Sequence, residues 1–189
     1  MGDNDFFSFR GGGVSVISDP AALDCDFNPR DNRCCWHNVG NQSDELDWAI
    51  AGRDVAGGRA RELFASSSGP VGPFLVTGSP RTYEWYQALL LSCPISCQSN
   101  TGELVLDAWL SEGTTLDVCR LPVGDTEFLP GCVTLSDSGR TRVDIPAQST
   151  PFYIALVASS FVSERAPYGG GIVAVDNLRY ENAQFCIPS

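Results

Sequence analysis

The stretch ELVLDAWLS, residues 103–111, alternates between two kinds of side chain with a period of two. Asp107 and Trp109 fall on one face. The other face is entirely apolar and consists of Leu104, Leu106, Ala108 and Leu110. Side chains of a strand point alternately to opposite faces, whereas an amphipathic helix repeats about every 3.6 residues. The stretch therefore predicts a β-strand with one face in a core.

The same alternation recurs along the second half of the chain, with turn-forming residues between the runs. FYIALVAS (152–159) is apolar on both faces, as expected of a central strand covered on both sides. Only GRARELFAS (58–66) favours a helix. Many short strands with little helix predict an all-β fold, an antiparallel β-sandwich with jelly-roll topology. The further strands are predicted at 115–121, 132–135, 141–145, 152–159 and 171–180.

Length and composition predict one domain with a substantial core. The chain has 189 residues, of which 43% are hydrophobic and 19% charged. We assign residues 14–189 to a single β-sandwich and residues 1–13, which end in three glycines, to a flexible N-terminal segment. No uninterrupted apolar run of about 18 residues occurs, so the segment is not expected to insert into a membrane.

The charge balance excludes several partners. The formal net charge is −11, which repels phosphate backbones and anionic membrane surfaces. Nucleic acid is therefore not expected as a ligand. All twelve basic residues are arginine, so chemistry that needs a lysine is excluded as well.

Eight cysteines, an even number spread over the chain, favour disulfides and an oxidising, extracellular compartment. The sequon NQS makes Asn41 a predicted N-glycosylation site, in agreement with secretion. Cys119 and Cys132 stand at the ends of two strand-like runs joined by one loop, so we pair them. Cys186 has Cys93 or Cys97 as its partner.

The sixteen residues 25–40, CDFNPRDNRCCWHNVG, hold the other three cysteines and the only histidine. A disulfide between neighbours needs strained peptide geometry, so Cys34 and Cys35 are expected to pair elsewhere. One of them should return to Cys25, and the other should take whichever of Cys93 and Cys97 remains. The stretch lacks the regular spacing of a zinc site, and a catalytic Cys/His pair would need a free thiol. No catalytic residue is predicted.

Two further positions are candidates for binding. Alternation in RTYEWYQ (81–87) places Tyr83 and Trp85 on one side; if exposed, they form an aromatic patch that binds proteins or stacks on sugars. The alternative is packing against the sandwich edge. Asp176 shares the parity of apolar residues in GIVAVDNLRY (171–180), which predicts an inward carboxylate. Such a group must pair with an arginine or bind a cation such as Ca²⁺.

An ordered set of short motifs resembles the MAM domain family (meprin, A5 antigen, receptor phosphatase mu). The opening of that family is similar to LDCDFN (23–28), CCWHN (34–38) and DELDW (44–48). Later motifs resemble GPFLVTGS (72–79), GELVLDAWL (102–110) and GGGIVAVDNLRYENAQFC (169–186). Departures include Asn28, where the family has Glu, and Val105, where it carries a cysteine. The match runs from residue 23 to 186.

The resemblance implies a jelly-roll sandwich without catalysis that serves cell adhesion, receptor assembly or matrix contact, homophilic contact included. It places Trp36, Trp48 and Trp109 in the core and pairs Cys25 with Cys35. It also implies a structural Ca²⁺ as the sole cofactor, with Asp26, Asn28, Asp47 and Asp176 as ligands. The resulting disulfide scheme is Cys25–Cys35, Cys119–Cys132, Cys93–Cys186 and Cys34–Cys97, the partners in the last two being interchangeable.

The sequence thus predicts a non-catalytic extracellular binding module, secreted or part of a cell-surface protein. Its expected partner is a cell-surface or matrix protein. The alternative is a lectin-like, carbohydrate-binding jelly roll.

Overall fold

The computed structural model confirms the predicted fold class, a disulfide-stabilised antiparallel β-sandwich with jelly-roll topology. It describes residues 6–8, 15–29, 34–39, 45–52, 54–55, 57–82, 85–163 and 169–186. The strands are β1 (Phe6–Ser8), β2 (Trp36–Asn38), β3 (Ala49–Ala51), β4 (Phe74–Ser79), β5 (Ala88–Ser92), β6 (Gly102–Leu110), β7 (Thr115–Pro122), β8 (Val133–Leu135), β9 (Gly139–Ile145), β10 (Phe152–Ser159) and β11 (Gly171–Glu181).

Two sheets form the sandwich. The first has six strands in the order β1-β3-β4-β11-β6-β9, and the second has five in the order β2-β5-β10-β7-β8. From β4 to β7, successive strands alternate between the sheets, and β10 and β11 do the same. Each such connection crosses an end of the sandwich, so the loops that carry the chain between the sheets gather at its two ends.

The core lies between the sheets and is formed by one parity of each strand. Leu104 and Leu106 of β6 are fully buried, as the alternation predicts, and so are Trp36 and Trp48. Trp109 is different. It is half-buried on the outer face of the six-stranded sheet, among residues that pack under α1 (Gly58–Phe64). Its core assignment was wrong because it has the parity of Asp107, which faces outward.

Part of the N-terminal segment 1–13 forms a strand. The backbone of β1 pairs antiparallel with β3, and the division of the chain into a flexible segment 1–13 and a domain 14–189 stays a prediction. The stretch is too short to show a period, and an edge strand such as β3 offers backbone groups to any extended chain. No helix among the described residues has both the length and the apolar character that crossing a bilayer requires.

Two of the predicted disulfides were wrong. Cys25 bonds to Cys34, with a Cα–Cα distance of 5.0 Å, rather than to Cys35. Cys35 bonds to Cys93, with a Cα–Cα distance of 5.2 Å, and Cys34 therefore does not reach Cys97. The strand register explains this choice. Trp36 pairs with Ser92 across β2 and β5, so the residue before Trp36 lies opposite the residue after Ser92.

The other two disulfides tie distant parts of the sandwich. Cys186 bonds to Cys97 over a sequence separation of 89 residues. The prediction had given Cys93 and Cys97 as interchangeable partners of Cys186. Cys119 bonds to Cys132 over 13 residues, as the strand–loop–strand argument predicts. All eight cysteines are thereby in disulfides.

Candidate functional site

Trp85 is the large aromatic side chain most open to solvent in the described residues. It is 66% exposed on the loop between β4 and β5. The ring of Tyr86 stands edge-on to it, with 4.6 Å between ring centroids and an interplanar angle of 83°. The predicted companion, Tyr83, lies outside the described residues, and alternation had not singled out Tyr86. We call the pair Trp85 and Tyr86 the aromatic platform.

Both ends of the platform loop are held by hydrogen bonds. At its start, the Ser79 hydroxyl donates to the Arg81 carbonyl over 2.6 Å. At its end, the Gln87 amide donates to a Glu45 carboxylate oxygen over 3.1 Å, and the Glu45 amide donates to the Gln87 carbonyl over 3.2 Å. Gly170 closes over the loop with φ +70°, and a Cβ there would lie 2.2 Å from the Arg81 carbonyl oxygen. The loop is therefore anchored to the sandwich at both ends.

A groove of about 340 Å³ lies on the outer face of the six-stranded sheet, where β3, β4 and β11 run side by side. Its apolar lining consists of small or medium side chains. Asp47 contributes the carboxylate. No described residue gives the Asp47 side chain a hydrogen bond or an ion pair. The lining includes Asp47, Ala49, Val76, Gly78, Pro80 and Ile172. We call it the Asp47 groove.

Two buried polar atoms lie behind the groove. The Trp48 Nε1–H and the Thr77 hydroxyl have no hydrogen-bond partner in the described structure, although Thr77 is only 4% exposed and Trp48 is fully buried. The register of Ala49 opposite Val76 places Trp48 opposite Thr77. Both belong to the inward parity of their strands, so they sit on the core side of the strands that form the groove floor.

Replacing Thr77 with valine is expected to raise the free energy of unfolding by about 1 kcal/mol, because burying an unpartnered hydroxyl costs more than burying a methyl group. Urea denaturation measures the change. Thr114→Val is the matched control, since the buried Thr114 hydroxyl donates to the Ser111 carbonyl over 2.7 Å and its loss should destabilise. A Thr77→Val protein destabilised as much as the control would show that the Thr77 hydroxyl does have a partner.

Asp176 is nearly buried, but on the outer face of its sheet, so the predicted inward direction was wrong. A β-bulge between Asp176 and Arg179 sets two residues against one on β6, and Asn177 takes φ 51° there. The bulge reverses the parity, so Val175 and Leu178 are both in the core while Asp176 faces outward. The pKa of Asp176 is raised to about 6, mainly because burial desolvates the carboxylate. The negative charges of Asp107 and Asp26 contribute to this rise in pKa, while the Asn177 amide and Arg179 oppose it.

The four predicted calcium ligands are not gathered at one place, although Asp26 lies near enough to Asp176 to raise its pKa. Asp47 shares its groove with Ile172, and Asp176 lies four residues further along β11, which is about 13 Å in a strand. Asp26 and Asn28 are exposed on the segment before Cys34. Among the described residues, no group of three Asp, Glu, His or Cys side chains is placed to hold a metal ion. The four predicted ligands therefore do not form a single cluster, and calcium binding stays a prediction of the resemblance.

The remaining acidic side chains near the bulge are paired with neighbours. Asp107 accepts from Arg140 over 3.2 Å and from the Asn177 side chain over 2.8 Å. Arg142 on the edge strand contacts Glu103 and Glu181. Solvent screens exposed pairs of this kind, so they stabilise a fold only weakly. These carboxylates are engaged with arginines and an amide rather than held ready for a substrate.

The predicted structural role of the cysteine-rich stretch is consistent with the geometry. His37 is half-buried on β2, 6.4 Å from the Tyr153 ring in edge-on contact, and burial lowers its pKa. Its neighbours Cys34 and Cys35 are both in disulfides, so His37 has no thiol there to activate. The predicted glycosylation site, Asn41, lies outside the described residues.

The sequence matches no family model and no curated protein. Several solved structures resemble the chain remotely. The enzymatically active domain of bacteriophage CBA120 tailspike protein 4 is 13% identical, with a TM-score of 0.45, over 78% of this chain and 19% of that chain. A CBM28 module specific for non-crystalline cellulose is 12% identical, with a TM-score of 0.42, over 92% and 97% of the two chains.

A third structure, the family 11 carbohydrate-binding module of the Clostridium thermocellum cellulase Lic26A-Cel5E, is 8% identical. Its TM-score is 0.39, over 88% of this chain and 96% of that chain. Likenesses of this degree identify neither a family nor a ligand for this chain.

Proposed function

We propose that this chain is a non-catalytic, extracellular carbohydrate-binding module, the alternative that the sequence left open. The exposure of Trp85 carries the proposal. An indole that is two-thirds exposed costs free energy in water, and the Tyr86 ring packs against it at 83°, which adds a second aromatic ring to the same surface. The C–H face of a sugar ring covers such a surface, and stacking does not require a deep pocket.

The charge of the chain narrows the class of sugar. A net charge of −11 repels sulfated, sialylated or uronic acid glycans, which are themselves anionic. Neutral polysaccharides carry no such penalty. The proposed ligand is therefore a neutral glycan.

Two observations support the extracellular, non-catalytic part of the proposal. Four disulfides involve every cysteine, which favours an oxidising compartment. Asp107, which lies opposite Asp176 across β6 and β11, is hydrogen-bonded to Arg140 and Asn177. These contacts stabilise the sheet and leave Asp107 little freedom to act as a general acid or nucleophile.

Trp85→Ala is expected to weaken binding to a neutral polysaccharide by about tenfold to a hundredfold, because a central aromatic contact of this kind contributes about 1–3 kcal/mol. Isothermal titration calorimetry against soluble glucan, mannan and xylan measures the change. Trp85→Phe should retain part of the affinity, since it keeps a flat ring. Val71→Ala, an equally exposed apolar position at 68%, is the matched control and should bind like the unaltered protein. Equal affinity in all four proteins would overturn the assignment of the platform.

A second function, protein binding of the kind that the MAM resemblance implies, is favoured by a different surface. Val123, Phe128 and Val133 are 44%, 37% and 39% exposed on the β7–β8 hairpin, whose strands the Cys119–Cys132 disulfide links. Exposed apolar groups held on one rigid hairpin suit a protein partner, a second copy of the chain included. Light scattering across concentrations, with Phe128→Asp for comparison, distinguishes self-association from sugar binding.

A further inference from the structure

We propose that the Asp47 groove is a second sugar subsite, which takes one neutral hexose unit of the same glycan chain that stacks on the aromatic platform. This inference rests on the proposed function and adds the place and the chemistry of a second contact. The groove and the platform are joined by a short piece of chain. Pro80 lines the groove, and Trp85 follows five residues later, at most about 18 Å away along an extended backbone.

The floor of the groove is shaped for a flat, weakly apolar face. Ala49 is small, Gly78 has no side chain, and Val76 and Ile172 are half-buried beside them. Glycine is required at position 78, since a Cβ there would lie 2.9 Å from the Gly171 carbonyl oxygen and 3.2 Å from Ile172 Cγ1. The result is a shallow apolar floor without an aromatic ring, which matches the C–H face of a hexose in both size and polarity.

Asp47 supplies the groove with a hydrogen-bond acceptor. Its carboxylate is exposed at the edge of the groove and has no hydrogen-bond or ion-pair partner among the described residues. An ionised carboxylate only accepts hydrogen bonds, so its ligand must supply donors. Two adjacent sugar hydroxyls can donate to its two oxygens, and such charge-assisted bonds are stronger than neutral ones. The carboxylate also rejects an anionic sugar, in agreement with the overall charge.

The unsatisfied atoms behind the floor fit the same picture. Trp48 and Thr77 are neighbours of Asp47, Ala49 and Gly78 along the chain, and each buries a polar atom without a partner. Buried polar groups are nearly always hydrogen-bonded. Two unpaired groups side by side therefore mean that the free energy of unfolding is lower here than it could be.

Asp47→Ala and Ala49→Leu test the subsite in complementary ways. The first removes the hydrogen-bond acceptor from an exposed position, and the second fills the floor without changing charge. The probes are cellobiose, cellohexaose, mannobiose and mannohexaose, titrated calorimetrically into the oxidised protein. We expect the unaltered protein to bind one hexasaccharide more tightly than its disaccharide, and both variants to weaken that hexasaccharide about tenfold. Asp144→Ala, which removes an exposed carboxylate from the far edge strand, should leave both affinities unchanged.

The outcomes separate this inference from the one it rests on. Hexasaccharide binding that Trp85→Ala weakens and that Asp47→Ala and Ala49→Leu leave intact would overturn the second subsite and leave the proposed function standing. No binding of any probe by the unaltered protein, together with none to the polysaccharides, would overturn the proposed function. Binding of an arginine-rich peptide that Asp47→Ala removes, without sugar binding, would assign the groove to a protein partner and overturn the subsite.

Discussion

Removing the Cys97–Cys186 disulfide is expected to lower the free energy of unfolding by about 4–5 kcal/mol. The bond closes a loop of 89 residues, and in the chain-entropy description a cross-link restricts the unfolded chain more as the loop grows. It joins the end of β11 to the segment between β5 and β6. The Cys186 amide donates to the Cys97 carbonyl over 3.1 Å beside it, so the backbone there is already held in place.

Chemical denaturation of the Cys97→Ser/Cys186→Ser protein measures the loss. The matched control is Cys119→Ser/Cys132→Ser, whose loop spans 13 residues and whose expected loss is about 3 kcal/mol. Equal losses for the two pairs, or a larger loss for the control, would contradict the dependence on loop length and place the stabilisation in local packing instead.

Replacing Asp176 with asparagine is expected to stabilise the protein at pH 7.5 by roughly 2–3 kcal/mol. Burial raises the pKa of this carboxyl from 3.8 to about 6, so the folded state binds a proton that the unfolded state releases. The contribution of Asp176 to the free energy of unfolding is therefore most favourable below pH 4, falls as the pH rises towards 6, and stays lower above that. Asparagine removes the buried charge, and its side-chain oxygen can still accept from the Asn177 amide, as Asp176 does over 2.7 Å.

The difference in free energy of unfolding between Asp176→Asn and the unaltered protein should nearly disappear near pH 4, where both folded proteins carry a neutral side chain at this position. Urea denaturation at pH 4 and pH 7.5 in the presence of a chelator measures it, with Asp144→Asn, an exposed carboxylate on β9, as the control. Destabilisation of Asp176→Asn at pH 7.5 would show that the charged form is stabilised by a partner. If that destabilisation appeared only after calcium was added, it would support the ion that the resemblance implies.

The period of two was enough to predict the architecture. It placed FYIALVAS at residues 152–159, which is where β10 begins and ends, and it divided β6 correctly into an inner and an outer face. Such patterns work because burial of one strand face is the dominant local constraint on an antiparallel sandwich. The pairing of Cys119 with Cys132 followed from the same strands.

The alternation of side chains could not predict local backbone geometry or the register between strands distant in the chain. One extra residue at the Asn177 bulge reversed the direction of Asp176, and a bulge of this kind leaves no reliable mark in the alternation. The choice between Cys34 and Cys35 depended on the register of β2 against β5, two strands that are far apart in the chain.

The sequence predicted one part of the candidate site, Trp85, but not the Asp47 groove, because the groove depends on the register of distant strands. Trp85 stood out in the sequence because its neighbours are aromatic, and the structure shows that it is exposed. The Asp47 groove is assembled from β3, β4 and β11, so no single stretch reveals it. Asp47 itself was singled out, but as a calcium ligand. Its lack of a partner and its apolar surroundings appear only in the folded molecule.

The most direct test of the account is a glycan array that presents neutral, sulfated and sialylated glycans side by side to the oxidised protein. We expect binding to neutral hexose polymers, weakened by Trp85→Ala, and no binding to the acidic glycans. Failure to bind any neutral glycan, or a preference for the acidic ones, would contradict the proposal that this sandwich is a module for neutral carbohydrate.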